Sequence, residues 1–316
     1  MKHYFIINPR SGKGRHAEAL EAKIREVCEA EKITYECYFT KGVGDATEFV
    51  RRVCEEAEEL PARFYACGGD GTLCEVVNGV GLCKDAAVGV IPVGTGNDFV
   101  KNFTVPSLFL DISAQVGGSE ESIDLLRCND ILAINMVNIG FDCEVVKKKE
   151  ELGRKKHFPK KLTYVAGLIV TLVKKPTVKL KLALEGEVEE EKHFLLTTIA
   201  NGSFCGGGFN SNPRSSLNDG NIDTIFVNNV SRSKFVSLVG SYKKGTHITE
   251  KNMKVLSHGK CKSLFMRFPE KRSASIDGEL YEFEELKIEC LPLAGRIVIP
   301  RGVGISCAAE AERVPV

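Results

Sequence analysis

Three short apolar runs in the first third of this chain each end in a glycine-bearing loop, and that repetition restricts the fold more than any other feature. Tyr4-Phe5-Ile6-Ile7 is followed by Asn8-Pro9-Arg10-Ser11-Gly12-Lys13-Gly14. Phe64 to Cys67 is followed by Gly68-Gly69-Asp70-Gly71-Thr72, and Ala87 to Val93 runs into Gly94-Thr95-Gly96-Asn97-Asp98-Phe99. Apolar runs this short, bounded by turn residues, read as buried strands. Between them, Ala17, Leu20, Ile24, Val27 and Cys28 recur at helical spacing. Ile33 to Phe39 reads as another strand, Asp45 to Glu59 as a helix with Asp45 at its N-cap, and Thr72 to Val80 as a third helix. Strands separated by helices pair in parallel through right-handed crossovers, which predicts a doubly wound α/β layer. In such a layer ligands collect outside the carboxyl ends of the strands, where these loops lie.

The pattern changes between Ile123 and Asp130. Ile131 to Val137, Val178 to Leu184, His193 to Ala200, Ile222 to Val227, Cys261 to Phe268 and Leu286 to Cys290 read as strands with few helices among them. Val178-Lys179-Leu180-Lys181-Leu182 alternates strictly, as a half-buried antiparallel strand does. The expected organisation is an α/β nucleotide-binding domain over 1–126 and a β-rich, antiparallel, sandwich-like domain over 127–300. The last strand, Arg296 to Pro300, would send residues 301–316 back onto the first domain.

A chain of 316 residues suits two domains of ordinary size. A net charge of +1 gives no global basic field, so nucleic acid is not an expected partner. The 12 cysteines are scattered singly, without a C-x-x-C pair, and several sit in apolar runs. They read as reduced core thiols of a cytoplasmic protein. No signal peptide is expected, because Asn8-Pro9-Arg10 interrupts the first apolar stretch. Leu162 to Val173, the longest apolar run, falls short of the ~18 residues of a membrane span. Just before it, residues 147–161 carry a local charge of +6. That run is either a solvated face or a surface that meets anionic lipid at the inner membrane face. The oligomeric state, a homo-oligomer included, stays open.

The loops match neither standard nucleotide fingerprint. Gly12-Lys13 lacks the first glycine and the Ser/Thr of a P-loop, and Phe99 stands where a dinucleotide loop needs Gly or Ala. Their physical logic is still that of phosphate binding, since glycines let backbone N–H groups approach an anion and a following helix adds its positive end. Asp70 and Asp98 would repel a triphosphate unless Mg²⁺ lies between, or unless one of them activates a hydroxyl.

Gly68-Gly69-Asp70-Gly71-Thr72-Leu73-Cys74-Glu75-Val76-Val77-Asn78-Gly79 resembles the signature of the diacylglycerol-kinase catalytic domain. The loops at Asn8 and Gly94 follow in the order seen in bacterial lipid kinases of that family. Gly206-Gly207-Gly208-Phe209, the Leu217 to Asp223 segment and Ile276-Asp277-Gly278-Glu279 extend the resemblance through the second domain. It implies an ATP-dependent lipid kinase that moves the γ-phosphoryl group to a lipid hydroxyl such as that of diacylglycerol. A kinase of a soluble acceptor, as in NAD kinases, and a nucleotide-binding regulator without catalysis are the alternatives. By resemblance, Asn8, Pro9, Arg10, Ser11, Gly12, Thr40, Gly69, Asp70, Gly71, Thr72, Leu73, Cys74, Glu75 and Thr95 would line the ATP site. Cys74 stands where the family has Asn, and a thiol replaces an amide poorly. Asp70, Asp98 and Glu279 would be catalytic, with the proton acceptor either Asp70 or Glu279, and Asp124 would support Asp70 through a hydrogen-bond or water network. Asp219, with the carbonyls of Ser216 and Asn221, would hold a second, structural Mg²⁺. Read in isolation, Thr40 is equally a turn or cap residue, Asp219 an Asp-Gly turn, Glu279 a surface turn glutamate and Asp124 a domain-edge aspartate.

Overall fold

The computed structural model describes residues 1–13, 17–153 and 177–306. Most of the basic run at 147–161, the apolar stretch Leu162 to Val173, Gly14 and residues 307–316 lie outside the described residues. The first unit alternates as the glycine loops require: β1 (Lys2–Ile7), α1 (Ala17–Ala30), β2 (Tyr35–Phe39), α2 (Asp45–Glu55), β3 (Ala62–Gly68), α3 (Asp70–Val80) and β4 (Ala86–Pro92). The strands lie in the order β2-β1-β3-β4, all parallel. Ile7 is level with Cys67, and Gly68 with Pro92, so the three glycine loops leave the sheet along one edge. This register places the site.

Apolar side chains hold both faces of the layer. Tyr4, Phe64, Val50 and Val76 are buried on the face covered by α2 and α3. Phe5, Tyr65, Ile24 and Ile112 are buried on the face covered by α1. Tyr4 stacks on Phe64 and Phe5 on Tyr65, with ring centroids 5.1 and 4.7 Å apart. Removing one such ring would cost about 3–5 kcal/mol, the usual penalty for a large buried aromatic cut to alanine.

Asp45 is not the cap of α2. Gly44 holds that place in the left-handed region, at φ 84°. The Asp45 carboxylate instead accepts from the Tyr38 hydroxyl and the Lys41 N–H. Glu75 of α3 takes over the capping, accepting from the N–H groups of Gly44 and Ala46. A side chain thirty residues away in sequence does this work, so local spacing could not show it.

The chain continues through α4 (Ile112–Val116), β5 (Ser119–Cys128), β6 (Ile131–Ala133), β7 (Met136–Gly140), α5 (Phe141–Gly153), β8 (Val178–Leu184) and β9 (Glu190–Ala200). A small hairpin of β10 (Phe204–Cys205) and β11 (Phe209–Asn210) follows, then β12 (Ile222–Asn228), α6 (Arg232–Lys244), β13 (Leu256–Cys261), β14 (Ser263–Ile276) and β15 (Glu279–Ile299). Most of these strands pair antiparallel, in the order β13-β12-β9-β7-β14-β15.

The expectation of two separate sheets needs correction. β15 is 21 residues long, and its far end pairs in parallel with β4 at Ile297–Val88. One 13-stranded sheet therefore runs through both units, and parallel pairing is confined to the first-unit strands and this junction. The first half of β15 packs into the second core, whereas Ile297 and Ile299 complete the first. β5 also serves both, with Leu125 in one core and Leu126 in the other, as side chains on opposite faces of a strand allow. After β15 the chain returns to the first unit: Ser306 N–H donates to the Asn102 carbonyl and Ile305 bridges to Phe103. All cysteines among the described residues are free, and no described helix is long and apolar enough to cross a membrane.

Candidate active site

Two clefts meet where the glycine loops face the second unit. The smaller, about 250 Å³, is lined by Asn8, Ser11, Thr40, Gly69, Gly71, Thr72, Glu75 and Glu279 among others. The larger, about 830 Å³, begins at Gly69, Asp70, Thr95, Asp98, Asp277 and Glu279 and runs on between α5, α6 and the sheet. Gly69, Gly71 and Glu279 border both. Glu279 thus stands at the junction of a polar cleft and a mostly apolar cavity.

The glycines are needed for close approach. A Cβ on Gly94 would collide with the Gly69 backbone, and one on Gly71 with the Glu279 carboxylate. A Cβ on Gly96 would lie 2.6 Å from Asp70 Oδ2 and 3.8 Å from Asp98 Oδ2, so both carboxylates converge on that residue. α3 starts at Asp70 with Gly69 as its N-cap, which turns the positive end of an 11-residue helix toward the polar cleft. Asn8 Nδ2 donates to Thr72 Oγ1 at 3.1 Å and ties the first loop to that helix.

The acidic groups are held individually. Asp70 Oδ1 accepts from the Asp98 N–H at 2.7 Å. Burial, and next the charge of Asp98, raise the Asp70 carboxyl above the usual aspartate range, against the pull of the Asp98 and Phe99 N–H groups. Asp98 pairs with Lys101 at 2.5 Å, and its second oxygen accepts from the Gly207 N–H at 2.8 Å. That last bond comes from the second unit. Gly206, Gly207 and Gly208 all have positive φ, a path open at low cost only to glycine, and this is what the glycine run is for.

Asp277 fixes the turn that carries Glu279. Its carboxylate accepts the N–H groups of Ile134, Asn135 and Met136 at 2.8 to 3.0 Å. It is buried and adopts φ 47°, with Gly278 at φ 93°. Burial pushes its carboxyl up to about 6 even though three N–H donors oppose the shift. Lys101, Gly207 and Asp277 were not foreseen as site residues. An aspartate directly before a glycine, ahead of an acidic residue, was the one available signal for Asp277.

The structure does not bring every expected residue into the site. Pro9, Arg10 and Gly12 share the first loop with Asn8 and Ser11 but line neither cleft, and the loop turns at Gly12 with φ 62°. Leu73 faces the larger cavity rather than the polar cleft. Cys74 is 2% exposed on the core side of α3, where its thiol receives Asn78 Nδ2 and burial holds it well above the usual thiol range. It therefore has no access to a nucleotide, and the departure from Asn leaves the cleft untouched.

Asp124 makes no direct bond to Asp70. Its oxygens accept from the N–H groups of Leu293 and Gly220, so it organises the Asp219 loop. Its carbonyl reaches the catalytic end only indirectly: Asn201 Nδ2 donates both to it and to the Ile134 carbonyl, and Ile134 N–H donates to Asp277.

Residues 2–128 match the diacylglycerol kinase catalytic domain, and residues 135–299 match the YegS C-terminal NAD kinase beta sandwich-like domain. A diacylglycerol kinase of Staphylococcus carnosus is 30% identical over 280 residues, covering 87% of this chain and 87% of that protein. The chain belongs to the diacylglycerol kinase family. A diacylglycerol kinase of Bacillus subtilis is 28% identical over 287 residues, covering 87% of this chain and 88% of its own. The crystal structure of a diacylglycerol kinase from Bacillus anthracis shares the fold, with a TM-score of 0.69 at 22% identity over 95% of this chain and 97% of that one.

The kinase is an ATP-dependent phosphotransferase, and its donor groups allow two tests of metal binding. Asp70 and Asp98 set two carboxylates side by side in a partly buried site, an arrangement a divalent cation relieves. Asp98 already pairs with Lys101 and with the Gly207 N–H, so Asp70 is the better placed of the two, and one protein carboxylate is enough for Mg²⁺ carried on nucleotide phosphates. The Asp219 loop does not fit as expected. Lys260 pairs with the Asp219 carboxylate, Asn221 N–H donates to it, and Lys262 donates to the Gly220 carbonyl. The Ser216 hydroxyl turns to Asn218. Lys260 thus competes with a cation for the Asp219 carboxylate, while the Ser216 and Asn221 carbonyls, the other two expected ligands, stand outside these contacts.

Proposed function

We propose that this kinase transfers the γ-phosphoryl group of ATP to the hydroxyl of a lipid, diacylglycerol or a lipid of similar headgroup size. The observation that carries this reading is the junction at Glu279 between a small polar cleft and an 830 Å³ cavity lined largely by Phe141, Val145, Leu196, Val227, Phe235 and other apolar side chains. A soluble acceptor has no use for such a lining. Cys74, turned into the core, gives no support to a regulator that has lost catalysis.

In this reading the phosphates lie against Asn8, Ser11, Thr40 and the N–H groups at the start of α3. Asp70, with Asp98 beside it, would hold Mg²⁺, which supplies charge neutralisation at the phosphates. The acceptor hydroxyl oxygen attacks the γ-phosphorus, its bond to the β–γ bridging oxygen breaks, and ADP leaves. Glu279 takes the hydroxyl proton, a role consistent with its place between donor cleft and acceptor cavity. Asp277 acts through it, as a positioning residue. The basic run at 147–161 would bring the kinase to anionic membrane surfaces.

Glu279→Gln keeps the side chain's shape and removes its charge. ATP affinity should hold, while single-turnover transfer to a dispersed diacylglycerol falls at least ~10²-fold. Weakened ATP binding with normal single-turnover transfer would place Glu279 outside the chemistry.

A further inference from the structure

Two thiols of the first unit stand together at a place that lines neither cleft. Cys54 lies in the last turn of α2, and Cys83 in the turn that follows α3. The packing of the two helices brings them to each other. Thr47 Oγ1 donates to the Glu75 carbonyl at 2.9 Å, and a Cβ on Gly79 would lie 2.7 Å from Val50 Cβ. Residues 47 and 75, then 50 and 79, are therefore neighbours, so α2 and α3 run side by side in one direction. One further turn on each helix leads from Val50 to Cys54 and from Gly79 to Cys83. The chain keeps coiling to that point, since the Cys83 N–H donates to the Val80 carbonyl at 3.1 Å. There the Cys54 thiol comes within hydrogen-bonding reach of the Cys83 thiol, and both pack against the same core.

Neither thiol is sealed off. Both are free and half-buried, and Cys83 sits between Leu82, 48% exposed, and the exposed Lys84. Core packing accounts for a small apolar residue at either place, but it does not call for two sulfurs that meet across a helix pair within reach of solvent. A disulfide needs Cα atoms no more than about 7 Å apart, and the helix contact that glycine permits at 79 lies one turn away.

We propose that Cys54 and Cys83 form a modification site, a dithiol that a peroxide converts to a disulfide across α2 and α3. Burial, and next the charge of Cys83, push the Cys54 thiol up to about 12, which leaves the first attack to Cys83. The Cys83 sulfur, as thiolate, attacks one peroxide oxygen. The O–O bond breaks, water leaves, and Cys83 becomes a sulfenic acid. The Cys54 sulfur then gives up its proton and attacks the Cys83 sulfur. The S–O bond breaks, the S–S bond forms and a second water leaves. The thiol pair loses two electrons and the peroxide gains them; a dithiol reductant reverses the change. The new bond closes a loop of about 30 residues around β3 and α3, a length at which a cross-link stabilises a fold appreciably. The opposite end of the helix pair is already tied, because Glu75 holds the Gly44 and Ala46 N–H groups beside the polar cleft. Oxidation thus fastens at both ends the two helices that carry Asp70 and the Gly44 turn.

The test treats the full-length protein with a small molar excess of hydrogen peroxide, alkylates the remaining thiols and maps the peptides by mass spectrometry without reduction. A peptide joining Cys54 to Cys83 should form ahead of any other cysteine pair and disappear with dithiothreitol. The oxidised protein should melt about 5 °C above the reduced form. Cys54→Ser should leave Cys83 as a sulfenic acid captured by dimedone, and Cys83→Ser should show neither the cross-link nor the melting shift. Cys54 and Cys83 both still open to alkylation after treatment, or each joined to some other cysteine, overturns the proposal. So does a cross-linked wild type that melts no higher than the reduced form, or the same shift in Cys83→Ser. The wild-type readings decide even where a serine variant does not fold.

Discussion

Asp277→Asn preserves the outline of the side chain that holds the turn before Glu279 and removes its titration. In the folded protein this carboxyl is raised from 3.8 to about 6 by burial, with the charge of Asp70 adding to the shift. A folded-state value above the unfolded one means the native state binds the extra proton. The contribution to stability is therefore fully present below the unfolded value and lost as pH rises through the folded one. From these two values, linkage gives a loss of about 2 kcal/mol from this group as pH rises from 4.5 to 7.5. The variant has no such loss. It does lose one acceptor, because an amide nitrogen replaces one of the oxygens facing the Ile134, Asn135 and Met136 N–H groups, a pH-independent cost of about 1–3 kcal/mol. Urea unfolding at several pH values across that range should show the variant less stable at the acid end and the gap closing by about 2 kcal/mol toward neutrality. Two parallel stability curves would refute the reasoning, since Asp277 would then titrate alike in both states.

Three further outcomes are expected. Asp70→Asn should lower turnover by at least ~10²-fold without loss of fold, measured as steady-state phosphoryl transfer beside a melting curve; near-normal turnover would remove Asp70 from metal handling. Because Lys260 pairs with the Asp219 carboxylate, Asp219→Ala should lower the melting temperature in Mg²⁺-free buffer, and added Mg²⁺ without nucleotide should shift variant and wild type equally; a shift confined to wild type would restore a metal to that loop. Replacing Lys155, Lys156, Lys160 and Lys161 with Gln should weaken sedimentation with anionic vesicles at low salt more than at high salt, since screening already limits such charges to ~8 Å at physiological ionic strength; equal binding by both forms at every salt level would make the run a solvated face.

The local elements and the loops that end them follow from residue patterns alone. Short apolar runs closed by glycines specify strands of a parallel layer, because burial on both faces and backbone approach at the carboxyl edge leave few other folds. Asp70 and Asp98 stood out from the glycine loops that carry them, whereas Asn8, Thr40, Thr72, Thr95 and Glu279 entered through the family resemblance, since Thr40 and Glu279 in isolation read as turn residues. Tertiary structure decided what depends on contacts between distant segments. Nothing local to Cys74 shows which side of α3 faces the core, and nothing local to Asp219 shows that Lys260, from a neighbouring strand, meets its carboxylate. The role of Gly207 on Asp98 and the passage of β15 from one unit into the other likewise join residues far apart in the chain. Ser275 and Asn138 reach one cavity wall only through strand register, because they come from separate strands and alternation along each strand sets which side chains face the cavity.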